Sequence, residues 1–360
     1  MNVPDDTKKR LASLDILRGF DLFLLLFFQP VLISIGNAAN APWLNRILYQ
    51  FDHETWHGFR LWDIVMPLFL FMVGTSMPFS FAKYTAHGFD RKIYLKILRR
   101  FLILFLFGMI VQGNLLAFDP QHIYIYTNTL QAIAVGYLIA SMMLLHLKPK
   151  GQLLATLVLL IIYSIPMALC GDYTPEGNFA YHVDRVIIGR FRGDLSYTWV
   201  WSSLTFGVTV MMGAFAGQMM KHSSDKKRTA LMLAVTGIIL ILAGLICDMC
   251  GMPINKRLWT ASMTLYSGGI CFMLMSLSYY IIDCRGYTYG LEWLKIYGMN
   301  AITAYILGEV INFRSIVISV SYGLEPLLGD YYNAWLTFGN CLILFLILRL
   351  MYRRGIYLKI

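Results

Sequence analysis

Runs of about twenty mostly apolar residues recur from one end of this sequence to the other, and they constrain the fold more than any other feature. Inside a bilayer no water satisfies backbone N–H and C=O groups, so a spanning segment must be a helix or belong to a closed barrel. A helix needs about 20 residues to cross, whereas a barrel strand needs only about 10. The runs fall near 14–36, 61–82, 97–116, 127–147, 152–170, 199–220, 229–248, 258–282, 292–312 and 333–352. Their length argues for helices. The expected fold is therefore an all-α integral membrane protein, a polytopic bundle of about ten transmembrane helices. Residues 1–360 are expected to form a single transmembrane domain with no separate soluble domain.

Composition excludes the main alternatives. Of 360 residues, 58% are hydrophobic and 14% charged, whereas a soluble domain carries about 25% charged residues. The formal charge of +10 would suggest nucleic acid in a soluble protein. In a membrane protein the basic excess belongs to cytoplasmic loops, so no nucleic-acid partner is expected. Lysines and arginines concentrate in alternate connections, around Lys92–Arg100, Lys226–Arg228 and Arg353–Arg354. That asymmetry predicts both termini in the cytoplasm and the stretch Asp52–Asp63 on the outer side.

Ionisable residues within spans are costly, about 2.5–3.5 kcal/mol each at the membrane centre, so each needs a reason. Asp15, Arg18 and Asp21 lie near the start of the first run. Asp15 and Arg18 are three apart and can pair on one helix face. Asn300 and Glu309 are nine apart in the 292–312 run and would line one side of an internal cavity if that run were one helix. The outer connection Gly171–Tyr197 is long and mixes Asp172, Glu176, His182, Asp184, Arg185, Arg190, Arg192 and Asp194 with many aromatics. It reads equally as an interfacial aromatic belt and as a sugar-binding surface. Cys247 and Cys250 form a C-x-x-C pair with no second pair to complete a zinc site. They read as incidental.

The richest stretch is Phe51–Met77, FDHETWHGFRLWDIVMPLFLFMVGTSM. Polar groups crowd its start and an apolar run follows, which sets two histidines and several charges at a water–membrane boundary. An imidazole exchanges protons near neutral pH and is also a competent acyl carrier. His53 is the candidate catalyst, and Asp63 is the candidate carboxylate to orient its ring. His53 and His57 would share a face if helical. Gly58 and its aromatic neighbours instead read as a loop, so no metal site is expected.

These residues carry a resemblance. LDILRGFDL (Leu14–Leu22), DHETWHGFRLWDIVMPLFLFMVGTSM (Asp52–Met77), PINKRLWTASM (Pro253–Met263), IIDCRGY (Ile281–Tyr287), YGMNAITAYIL (Tyr297–Leu307) and YRRGIYLKI (Tyr352–Ile360) follow one another in a specific order. Together they resemble the heparan-α-glucosaminide N-acetyltransferase family of transmembrane acyltransferases, in its short bacterial form. The resemblance implies transfer of an acetyl group from cytoplasmic acetyl-CoA to the amino group of a glucosamine-type sugar or glycan beyond the membrane. It further implies a multi-pass protein of the cytoplasmic (inner) membrane, with the lipid bilayer around it and a homodimeric assembly. The essential histidine of the family falls on His53, with Trp56, His57 and Gly58 completing its motif. The acidic residue opening the next span falls on Asp63. The D-x-x-R-G element falls on Asp15, Arg18 and Gly19, and the G-M-N element on Gly298, Met299 and Asn300.

One position departs from the pattern. The family carries an asparagine late in the first span, where this chain reads Gln29-Pro30. An amide there would polarise the thioester carbonyl in the manner of an oxyanion hole. The residues leave two mechanisms open, in which His53 either carries the acetyl group or acts as a general base. They leave two rival functions as well. Intramembrane Asp, Lys, Glu and Asn also mark pathways in transporters of small polar solutes, though each motif here occurs once and no inverted repeat is visible. A scaffold that lost the reaction is the other rival, resting on Gln29 alone.

Overall fold

The computed structural model describes residues 11–85, 91–113, 123–193 and 196–358. The basic residues Lys8, Lys9 and Arg10 and the loop residue Asp194 lie outside them. Among the described residues every regular element is helical. Among the described residues eight helical segments are long and apolar enough to cross a membrane: Ala12–Ala39, Leu61–Phe81, Thr129–His146, Pro149–Leu169, Ser203–Lys221, Lys226–Met249, Ala261–Cys284 and Arg314–Arg353. The protein is thus a polytopic helical membrane protein.

Two of the ten expected spans differ. The third, expected over 97–116, is a helix over Arg91–Gln112 whose first six residues carry Arg91, Lys92 and Lys96, and the last part of the expected run, 114–116, lies outside the described residues. The ninth, expected as one helix over 292–312, is two: Glu292–Met299 and Ala301–Val310. They break at Asn300, which sits at φ −115°, ψ 35° with its N–H turned to the Tyr297 carbonyl at 3.2 Å. Asparagine competes poorly for helix interiors because its side chain offers the backbone other bonds.

The chain forms two compact units. The first comprises the chain up to His53, Arg60–Val65, and the chain from Leu277 onward. Its leading helix has no local cap at Leu11. Asp283, distant in sequence, accepts the Ser13 N–H at 3.2 Å and supplies one. Pro30 has no N–H to give, and the turn before it widens into a π-helix over Leu24–Phe28. The Gln29 N–H then reaches back to the Leu24 carbonyl, one residue further than an α-helix would take it. Against this helix lies Glu292–Met299, in glycine-to-backbone contact. A Cβ on Gly19 would overlap the Leu294 carbonyl oxygen, and one on Gly298 would overlap that of Asp15. Without hydrophobic driving force in lipid, such close packing is what holds helices together. Phe23 meets Trp293 edge-on at 4.8 Å, and Tyr297 stacks on Phe345 at 5.5 Å.

The second unit comprises Glu54–Phe59 and Met66–Ser276. Here Val65–Thr85 and Ser203–Lys221 pack through Gly74 against the Val210 carbonyl and through Gly213 against that of Phe71. The segment Pro253–Thr260 is a buried turn tied by its own side chains. Asn255 Oδ1 accepts the Leu258 N–H at 3.0 Å, and Thr260 Oγ1 donates to the Pro253 carbonyl at 2.8 Å. The Leu258 carbonyl accepts both the Tyr163 and the Ser202 hydroxyl. Trp259 is buried with φ 52°, a left-handed conformation rare for a bulky residue, and donates its indole N–H to Thr209. The connection that follows Pro149–Leu169 is folded too, with a helix over Phe179–Ile187. Asp184 there accepts the Trp199 and Val200 amides at 2.8 and 3.0 Å. Burial pushes its carboxyl above the usual range, against the pull of those donors. Arg192 lies over the Tyr181 ring at 4.2 Å. Cys247 and Cys250 are free thiols.

Candidate active site

In the first unit the chain leaves the Pro42–Gln50 helix at Phe51 and makes a turn at Asp52 and His53. Gln29 holds this turn, its Nε2 donating to the Phe51 carbonyl at 2.7 Å. The amide expected to face a thioester carbonyl thus spends a proton on the protein's own backbone. Phe51 also packs between Phe28 and Trp62, at 5.4 and 6.1 Å. The Asp52 carboxylate accepts the His53 amide at 2.7 Å, which fixes the backbone from which the imidazole projects.

His53 Nδ1 and Asp63 Oδ1 stand 2.9 Å apart. Asp63 is fully buried, while the His53 side chain is 39% exposed. The carboxylate is held by its second oxygen, which accepts the Arg60 N–H at 3.0 Å. That bond comes from local geometry, because Asp63 is the third residue of the short 3₁₀ turn Leu61–Ile64 and reaches back to the residue that opens it. Arg60 is itself packed. Its guanidinium lies 3.7 Å from the centre of the Tyr49 ring, and Asp52 Oδ2 is 3.8 Å from its Nη1.

This geometry selects a tautomer. A carboxylate accepts and does not donate, so Nδ1 of the neutral ring carries the proton and the lone pair falls on Nε2. An imidazole so oriented takes a proton at Nε2, and the carboxylate stabilises the resulting cation. The pair expected from sequence is therefore in contact.

The other candidates lie in several surroundings. In the second unit, Trp56 donates its indole N–H to the Tyr173 carbonyl at 2.6 Å. His57 Nε2 meets Asp248 Oδ1 at 3.0 Å, and Asp248 also accepts the Ile254 N–H at 2.8 Å. Gly58, at φ 124°, donates its N–H to the Ile254 carbonyl at 2.9 Å. Trp56, His57 and Gly58 thus stitch the Glu54–Phe59 loop to two others. Asp15 and Arg18, in the first unit, are half-buried on the helix whose Gly19 meets Leu294. Asn300 is buried at the helix break. Asn300 caps the helix Ala301–Val310 that carries Glu309, and Glu309 lines a pocket with Arg314, Thr337 and Asn340.

Sequence reading missed Asp248, Arg60 and the strained Trp259. Asp248 carries a local signal, since it sits inside the C-x-x-C element that looked incidental. Nothing in the sequence marks Arg60 as the residue whose amide seats Asp63.

A multi-pass helical membrane protein with a histidine held by a buried carboxylate is the class that fold and site define. The family description "Heparan-alpha-glucosaminide N-acetyltransferase, catalytic" matches residues 10–245, and the chain belongs to that family. It is 22% identical over 367 residues to human heparan-alpha-glucosaminide N-acetyltransferase, covering 84% of this chain and 53% of the human protein. To the mouse protein of the same name it is 22% identical over 369 residues, covering 84% of this chain and 54% of that one. The chain spans about half the length of these curated relatives.

Proposed function

We propose that this chain is a membrane acetyltransferase that takes an acetyl group from acetyl-CoA and delivers it to the amino group of a glucosamine-type sugar. The observation that carries the proposal is the 2.9 Å contact between His53 Nδ1 and the buried Asp63. Family membership supports the reaction class, and the family's name supports an amino-sugar acceptor. The basic loops support a donor that enters from the cytoplasm and an acceptor on the far side of a cytoplasmic membrane. A homodimer is part of the same reading.

In the mechanism, the amine of the acceptor arrives as an ammonium. His53 Nε2 removes one proton, and Asp63 stabilises the imidazolium through Nδ1–H. The neutral amine attacks the thioester carbonyl. The C–S bond breaks, CoA leaves as a thiolate that takes up the proton the attacking nitrogen sheds as it becomes an amide, and the imidazolium passes its own proton to water. Gln29, Asp52 and Arg60 are positioning residues, because they fix the turn and the carboxylate rather than touch substrate. Trp56 and His57 contribute by anchoring the next loop, and Asp15, Arg18 and Asn300 belong to the helix pair that carries Gln29 and its neighbours.

The test is acetyl transfer from labelled acetyl-CoA to glucosamine by the protein in proteoliposomes. His53→Ala should lose at least a hundredfold in kcat while remaining folded and inserted. Transfer at the wild-type rate would remove the imidazole from the mechanism. Quenching the wild type before acceptor is added tests the general-base role directly, since a stable acetyl-histidine would replace it with a two-step transfer.

A further inference from the structure

A pocket of about 210 Å³ opens in the first unit where Ala301–Val310 ends and the chain turns into Arg314–Ser321. Its lining includes Glu309, Asn312, Arg314, Thr337 and Asn340. Glu309 has no hydrogen-bond or ion-pair partner among the described residues. Arg314 is held by neutral oxygens, Thr337 Oγ1 at 3.4 Å and Asn333 Oδ1, and by no carboxylate among those residues. Two opposite charges therefore share one pocket without pairing. Its walls are braced: Asn340 Oδ1 accepts the Phe313 N–H at 2.7 Å, and Ser34 donates to Thr337 Oγ1 at 3.0 Å.

An acidic and a basic side chain kept apart in one small pocket are stabilised by a ligand carrying both complements at a matching separation. Glu309 accepts hydrogen bonds and calls for an N–H cation. Arg314 and the amide nitrogens of Asn312 and Asn340 donate and call for an anion, with phosphate matching the guanidinium fork. The volume is below the roughly 300–1,000 Å³ of a drug-sized site, which suits a headgroup. In the lining, Val310 and Ile311 are exposed apolar side chains, and the helix Arg314–Ser321 that follows exposes Ile316 and Ile318, in a chain that crosses a bilayer. These are the surroundings in which acyl chains would lie.

We propose that this pocket binds a phosphoethanolamine headgroup, ammonium toward Glu309 and phosphate toward Arg314, supplied by the surrounding bilayer as phosphatidylethanolamine. The site is independent of the His53 reading.

The experiment is native mass spectrometry of the full-length protein in micelles containing equal amounts of phosphatidylethanolamine, phosphatidylcholine and phosphatidylglycerol. Phosphatidylethanolamine adducts should exceed each of the others at least fivefold, because choline has no N–H and glycerol no charge to offer Glu309. Glu309→Gln and Arg314→Gln should each cut that adduct at least fivefold, with monodisperse elution and an unchanged melting temperature as fold controls. Either variant suffices where the other does not fold. Equal retention of the three lipids, or an unchanged adduct in a folded variant, overturns the proposal. Soluble glycerophosphoethanolamine is the last arm. If it displaces the lipid at equal concentration, the site takes a free headgroup and the bilayer assignment fails.

Discussion

Replacing Asp63 by asparagine changes one atom of the buried group and inverts the hydrogen-bond logic of the candidate site. Asp63 uses both oxygens, one toward His53 Nδ1 at 2.9 Å and one toward the Arg60 N–H at 3.0 Å. An asparagine has a single oxygen. Turned toward His53, it leaves its NH₂ facing the buried Arg60 N–H, donor against donor, at a cost of about 1–3 kcal/mol for the unsatisfied group. Turned toward Arg60, it satisfies that amide and presents NH₂ to Nδ1. The second arrangement wins, and it moves the imidazole proton to Nε2, where the reaction needs a lone pair. Restoring the productive tautomer costs that same 1–3 kcal/mol, or about 5–150-fold at 1.36 kcal/mol per decade. Loss of the charge-assisted bond to the imidazolium adds roughly 1.5–3 kcal/mol. The sum is about 2.5–6 kcal/mol. Exposure of the His53 ring lets water compete for it, which favours the lower half, so kcat should fall about 10²–10³-fold with KM for acetyl-CoA little changed. The assay is steady-state acetyl transfer in proteoliposomes, with the melting temperature as fold control. His53→Ala added to Asp63→Asn should cost little more than either alone. A folded Asp63→Asn protein within threefold of wild type would refute the tautomer argument.

Three further outcomes follow from the packing. Gly19→Ala and Gly298→Ala each place a methyl on a neighbouring helix's carbonyl, so each should destabilise by about 1–3 kcal/mol or more and lower the yield of monodisperse protein in a detergent melt. Gly58→Ala meets no atom closer than 3.4 Å, so its cost is the strain of φ 124° alone, about 1–3 kcal/mol, and hydrogen exchange should rise at the Gly58 and Ile254 amides without wider unfolding. The Thr174 hydroxyl and amide hold the exposed Asp172 carboxyl below the usual carboxylate range. The turn it closes is accordingly intact above about pH 4, the unfolded value, and loosens as pH falls through the lower folded value. Hydrogen exchange over 171–178 should show that acid step, and Asp172→Asn should abolish it.

The fold class was legible because it rests on runs of apolar residues, and a bilayer leaves such runs one backbone solution. The His53–Asp63 pair was legible as well. Both residues lie in a short segment where a loop meets a helix start and so were named as candidates, while their contact came from the fold. The partners of the other polar residues came only from the fold. Asn300 ends one helix and caps the next, the one that carries Glu309. Gln29 donates to Phe51, and Trp56 and His57 bind neighbouring loops.

Hydropathy and motif order by themselves determined that this chain is a multi-pass helical protein of its family, and they named His53 and Asp63 as candidates without showing that the two meet. Tertiary structure alone decided which polar side chains were already used. Asp248, Asp283 and the carbonyls of Leu294 and Tyr173 are distant in sequence from the groups they meet. The physical reason is reach. Apolar periodicity and turn chemistry act over a few residues, whereas a buried donor takes whichever acceptor packing brings within about 3 Å.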